Sequence, residues 1–216
     1  MFNRNSIIIL VIALAAGLGL MAGKRLFDGA ASGSQHDSRT ITWYNAPRPV
    51  PEFNLSQSDG TRLLPGELRG HWTPVFLGFT TCPDVCPTTL TDLAAAQQRW
   101  AVLPDSTRPR LLLVSVDPER DTPALLGEYA HAFHADTLAA TTELPALEKF
   151  ATSLGFVFAK VPGESFDQNP QDYSVDHSAS LAVLDPAGQL VGLIRPPFDA
   201  AAIAQDLIDL TGKTAP

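Results

Sequence analysis

The only two cysteines of the 216-residue chain lie in the stretch "FTTCPDVCPTTL", Phe79 to Leu90, as Cys82 and Cys86, each followed by proline. Thiols gathered in one short polar stretch point to chemistry at sulfur. The apolar run 75–80 reads as a strand that ends just before Cys82, and a helix expected from Pro87 makes Cys86 its cap. A thiol at a helix N-terminus meets unpaired backbone N–H groups and the positive end of the dipole. Its pKa is therefore expected to fall, making thiolate available near neutrality. Four positions apart on such a turn, the two sulfurs either close a disulfide or face one metal ion, and the spacing leaves both open. A static structural disulfide is the plainer alternative, but so small a loop removes little chain entropy, and a domain of this size needs no staple. Two buried, inert cysteines fit poorly with the prolines and Asp84 of a polar turn.

The third group on offer is His177 in "YSVDHSAS", just before an apolar run at 180–184. There a chain returning to the sheet edge can meet the end of strand 75–80. A lone histidine is ordinarily a surface or hydrogen-bonded residue. Joined to two thiolates, its imidazole forms a soft three-donor set suited to copper in its lower oxidation state. Zinc usually takes a fourth protein ligand or water. His131 and His134 offer one by type, but they fall toward the end of a separate helix and read as a solvated face.

The elements that must position these groups follow from hydrophobic periodicity. Runs of strand length occur at 75–80, 111–117, 156–160, 180–184 and 190–194, and the first two are continuous, as expected of strands buried on both faces. Helical spacing is present from Pro87 to Val102, Pro123 to Phe133, Pro145 to Leu154 and Asp199 to Leu210. Three of these four open with proline, favoured at the first helical position. Alternating strands and helices, closed by a turn at Asp185-Pro186-Ala187-Gly188, predict an α/β sandwich with a mixed central sheet. A short N-terminal β-hairpin, Phe53–Leu55 with Thr61–Leu64 about Ser58-Asp59-Gly60, precedes it.

Ahead of this domain, Ile7 to Gly23 is 17 residues without a polar side chain, flanked by Arg4 and by Lys24-Arg25. That is the short end of a membrane-spanning helix. A cleaved signal fits less well, because Ala22-Gly23-Lys24 is a poor cleavage site and no cysteine follows for lipid attachment. The expected organisation is a membrane anchor over 1–28, a flexible Gly/Ser- and Pro-rich tether over 29–51, and one folded domain over 52–216. A single pass with a short tail inside would put the domain in an extracytoplasmic space, where thiols can be oxidised and re-reduced. The net charge is -8, and residues 1–28 contribute three basic and one acidic residue, so the remainder carries -10. An acidic domain argues against nucleic acid or anionic lipid headgroups as partners and suits a basic protein surface or a cation.

Three blocks, "GFTTCPDVCP" (78–87), "VDPERDTP" (116–123) and "DHS" (176–178), resemble in order and spacing the signatures of the Sco/SenC family of copper chaperones for cytochrome c oxidase. The resemblance runs from about Glu52 to the C-terminus, and an N-terminal anchor is typical of it. It implies a thioredoxin-like fold and copper, as Cu(I) or Cu(II), bound by Cys82, Cys86 and His177. It also implies a domain on the periplasmic side of a bacterial inner membrane. The acceptor would be the dinuclear copper site of oxidase subunit II or another copper-accepting protein, with a thiol-disulfide reductant as second partner. Asp84, Asp117, Arg120 and Asp121 match family positions around the site; by type they read as turn and helix-start residues, not ligands. Thr81 stands where an aromatic or histidine is common, and Leu181-Ala182 follow where a tyrosine often stands nearby.

The rival is an extracytoplasmic thiol-disulfide oxidoreductase using the Cys82/Cys86 dithiol. A CxxxC pair in place of CxxC, and a histidine that exchange does not need, favour the metal. A peroxidase fits less well still. A cysteine hydrolase built on Cys82 and His177 lacks an orienting group and leaves the second cysteine unexplained. If residues 1–28 serve attachment alone, a chain starting at Ser34 should stay in solution without detergent and unfold cooperatively in urea. Insolubility or a non-cooperative transition would show that the anchor is part of the folded unit.

Overall fold

Two of the apolar runs, Thr73–Gly78 and Leu112–Ser115, are buried at every position and pair in parallel at the middle of the sheet. The structure, a computed structural model, describes residues 38–214. The expected anchor and the first part of the tether lie outside the described residues. Among those described, no helix is long and apolar enough to cross a membrane.

In chain order the strands are β1 (Ile41–Pro49), β2 (Leu55–Gln57), β3 (Arg62–Leu63), β4 (Thr73–Gly78), β5 (Leu112–Ser115), β6 (Leu138–Thr141), β7 (Phe158–Pro162), β8 (Tyr173–His177), β9 (Leu181–Leu184) and β10 (Gln189–Ile194). The helices are α1 (Val85–Trp100), α2 (Pro123–Phe133), α3 (Leu144–Ser153) and α4 (Ala200–Thr214). Eight strands form one mixed sheet in the order β1-β10-β9-β4-β5-β6-β2-β3, while β7 and β8 form a separate antiparallel pair. The parallel centre β4-β5-β6 is linked by α1 and α2; right-handed crossovers moving the same way place both on one face. There α1 packs against α2 and α4. The expected hairpin is present as β2 and β3, shifted toward the turn, with Gly60 in the left-handed region (φ 84°) that its turn requires.

Local chemistry explains the helix ends. Thr122 caps α2 by accepting from the Leu125 N–H at 3.2 Å, with Pro123 at the first helical position. Asp199 Oδ1 accepts from the Ala201 and Ala202 N–H groups at 2.9 and 3.0 Å ahead of α4. Along α1, Leu90, Leu93, Ala94, Gln97 and Trp100 face the core at helical spacing, and the one polar member, Gln97, donates to Thr137 Oγ1 at 2.9 Å.

One expectation needs correction. Ile41–Pro49, assigned to the flexible tether, is an edge strand paired antiparallel with β10. Its pattern hides it, because only Ile41 is buried and Pro47 and Pro49 sit in the exposed half, where an edge tolerates missing donors. Two features hold it. At Gly192 a Cβ would stand 2.7 Å from the Thr42 carbonyl oxygen, so glycine permits the close approach of β1 to β10. The buried Asp206 of α4 accepts from the Arg39 and Thr40 N–H groups at 3.0 and 2.7 Å and from the Thr40 hydroxyl at 2.6 Å. Replacing Asp206 by alanine orphans those donors and is expected to lower stability by about 1–3 kcal/mol. The measurement is a lowered urea midpoint with unchanged m. An unchanged midpoint would mean that the ladder alone holds β1.

Candidate metal centre

β4 ends at Gly78, the chain turns with the Cys82 N–H donating to the Phe79 carbonyl at 3.3 Å, and α1 begins with Asp84 as its N-cap residue. This corrects the expected capping role of Cys86. Cys86 lies within the first helical turn, fully buried, and its own N–H donates to Cys82 Sγ at 3.4 Å. The Asp84 side chain makes no cap bond, so the sulfur that meets a helix N–H is that of Cys82. The expected fall in the Cys86 pKa is corrected too. Burial pushes it well above the ordinary thiol range, and the neighbouring Cys82 adds to the shift. Desolvation outweighs the helix terminus because the sulfur packs straight onto the end of β4: a Cβ built on Gly78 would lie 3.3 Å from it. Both thiols are free, Cys82 half-buried.

His177 ends β8, edge-on to Phe76 and Phe79 at ring separations of 5.9 and 6.0 Å. Its Nδ1 lies 3.2 Å from the Ser178 carbonyl oxygen, which only accepts, so Nδ1 carries the proton. The Nε2 lone pair then faces Cys86 Sγ at 3.7 Å. Burial lowers the pKa of the ring and keeps it neutral. A hydrogen bond at one ring nitrogen is how ligating histidines are ordinarily oriented. The donor atoms of Cys82, Cys86 and His177 lie within 4.8 Å of one another. Donors roughly 2.0–2.3 Å from one ion stand roughly 3.5–4 Å apart in a trigonal set, so the residues fit a three-coordinate soft cation with little movement. His131 is exposed near the end of α2 and His134 caps that helix; neither joins the cluster.

The acidic and basic residues named from sequence surround the site without joining it. Asp121, 1% exposed, accepts from the Thr80 N–H at 3.0 Å and from the Thr80 and Ser115 hydroxyls at 2.5 Å each, tying together the loops that follow β4 and β5. Buried Asp117 pairs with Arg120 and accepts from the Tyr173 hydroxyl at 2.7 Å. Asp84 is exposed. Tyr173 was not singled out from sequence. The signal available was its period-two spacing from His177, in a segment too polar to read as a strand.

A family model described as SCO1/SenC matches residues 44–212. A Stutzerimonas stutzeri protein whose name assigns it copper binding is 33% identical over 192 residues, taking in 88% of this chain and 87% of its own length. Among solved structures, Arabidopsis thaliana ScoI with copper bound matches with TM-score 0.67 at 29% identity, covering 76% of this chain and 98% of that one. Yeast Sco1 with copper bound matches with TM-score 0.68 at 26% identity, over 79% and 92% of the two chains. The mixed-sheet, thioredoxin-like α/β fold is common to all three structures.

The buried Cys86 thiol sets a pH dependence whose sign is fixed. Its folded-state pKa lies above that of the unfolded thiol, so the folded chain holds the proton more tightly. The resulting stability is complete below about pH 8.5 and drains as pH rises beyond it, at up to about 1.4 kcal/mol per unit. Reduced, metal-free protein should therefore lose stability between about pH 8 and 10 more steeply than Cys86→Ala, measured by urea unfolding. Parallel slopes would show that the thiol is not desolvated.

Proposed function

Because the chain belongs to the SCO1/SenC family, we propose that it is a membrane-anchored copper metallochaperone acting through Cys82, Cys86 and His177. The observation that carries this reading is the convergence of two sulfurs from the β4–α1 turn and an imidazole from the distant β8, their donor atoms within 4.8 Å of one another. Two thiolates and a neutral nitrogen suit Cu(I), and the imidazole extends the set to Cu(II). The cargo enters as the two thiols give up their protons. Half-buried Cys82 is the donor an incoming ligand reaches first, and buried Cys86 with His177 forms the inner pair.

The apolar stretch 7–23 would anchor the chain once in a bacterial inner membrane, with the domain in the periplasm. The acceptor in this reading is the dinuclear copper site of cytochrome c oxidase subunit II, to which the chain delivers copper or whose thiols it prepares. A thiol-disulfide reductant would return the pair to its metal-ready state. The acidic charge of the domain supports a cation as cargo and a basic protein surface as partner.

A second reading, thiol-disulfide exchange, is favoured by the asymmetry of the pair, Cys82 half-buried and Cys86 buried, their sulfurs within 4.8 Å of each other. Exchange would oxidise both thiols to one disulfide, passing two electrons and two protons to a substrate disulfide.

His177→Ala separates the two. It removes one of three donors and leaves both thiols and the start of α1 in place. Copper affinity of the reduced chain is expected to fall at least roughly 10- to 100-fold, while the rate of disulfide reduction changes little. The oxidised chain should take up almost no copper until reduced, because a disulfide sulfur has no thiolate to donate. Unchanged copper affinity with collapsed exchange would make the oxidoreductase the better account.

A further inference from the structure

Among the described residues, His177 is carried by a two-stranded sheet that shares no ladder with the eight-stranded one. No hydrogen bond of the main sheet therefore fixes its place opposite the dithiol. Alternation along β8 puts Tyr173, Val175 and His177 on one face, and burial agrees: Tyr173 and Val175 are buried, Ser174 and Asp176 exposed.

At the end of β8 opposite His177, Tyr173 is clamped. Its hydroxyl donates to Asp117 Oδ1 at 2.7 Å, and the Arg120 guanidinium lies 3.7 Å from its ring centroid. Arg120 also donates to the Tyr173 carbonyl oxygen at 3.0 Å and pairs with Asp117. The Lys160 ammonium, from β7, sits 4.2 Å from the same centroid and is held by Glu119 at 2.6 Å. Asp117, Glu119 and Arg120 belong to the loop between β5 and α2, and Asp121 of that loop is bonded to Thr80, two residues before Cys82. A continuous run of hydrogen bonds and ring contacts thus joins the strand bearing His177 to the loop bearing Cys82.

We propose that Tyr173 is the positioning residue for His177. Its clamp on Asp117 and Arg120 sets where the imidazole stands relative to Cys86, and releasing it withdraws the third donor while both thiols stay in place. The inference rests on the reading of Cys82, Cys86 and His177 as copper ligands.

The test is a mutant cycle in the full, reduced chain, with Tyr173→Ala and Tyr173→Phe made alone and together with His177→Ala. Cu(I) affinity is read by competition with bicinchoninate. Tyr173→Ala should lose about as much affinity as His177→Ala, roughly 10- to 100-fold, with no further loss when the two are combined. Tyr173→Phe keeps the ring between its cations and loses only the hydroxyl, so a smaller, several-fold loss is expected, again absent without His177. If Tyr173→Ala fails to fold, the phenylalanine pair decides alone. Losses that multiply in the double variants would make Tyr173 a structural residue and overturn the proposal. A second readout needs no metal. The imidazole ¹⁵N shifts of His177 should report a single Nδ1–H tautomer in the wild type and a mixture in Tyr173→Ala. Amide exchange at Val175 should speed at least tenfold while β4 and β5 stay protected. An unchanged tautomer and unchanged exchange would likewise overturn it. A wild-type chain that takes up no copper would sink the functional reading instead, and the tautomer and exchange measurements would still decide the clamp.

Discussion

The dithiol hangs from a buried anion. Gly78 and Ser115 are register partners at the ends of two parallel strands, and beyond them both chains leave the sheet. Asp121 catches both, taking the N–H and hydroxyl of Thr80 on one side and the hydroxyl of Ser115 on the other. A carboxylate removed from water is tolerable only when its acceptor sites are filled, and three donors fill them here. The same three bonds fix the loop that carries Cys82 over the start of α1. Removing the carboxylate would orphan Thr80 and Ser115 together, so the geometry of sulfur and the stability of the strand ends are one property.

Two of the three donors are kept uncharged until a cation arrives. Cys86 is pushed toward its thiol form and His177 toward its neutral form by the same burial, which disfavours charge of either sign. A metal-free pocket of this kind escapes the repulsion of two thiolates packed side by side. It also makes proton release part of loading, since the groups that bind a soft cation are those that give up protons to do so.

Much of this was written in local sequence. The cysteine spacing, the distant histidine and the continuous runs at the centre of the sheet point to the candidate site and its frame, because residue type, local spacing and simple periodicity carry them. Where tertiary context decides, the sequence was silent. β6 is built on "LAAT", whose alanines have little preference for strands and lie there because β5 offers a parallel partner. β1 has a single buried residue, and what secures it comes from α4, more than 150 positions away. The protonation of Cys86 is hidden from the sequence for the same reason. A helix start is visible in sequence, whereas packing against the end of β4 is not. Tyr173 is legible only once Asp117 and Arg120 are seen beneath it.

The two margins of the eight-stranded sheet are both poor templates. At one, β1 has its ladder interrupted between Trp43 and Arg48 and carries Pro47 and Pro49, which have no N–H to offer. At the other, β3 is only two residues long. A sheet with unpaired N–H and C=O groups at its rim invites a neighbouring chain to add itself as the next strand, and short, kinked or proline-bearing rims refuse it. Copies at high local concentration meet often enough for such pairing to matter. In such crowding, rims that refuse a further strand keep this sheet from growing into an aggregate.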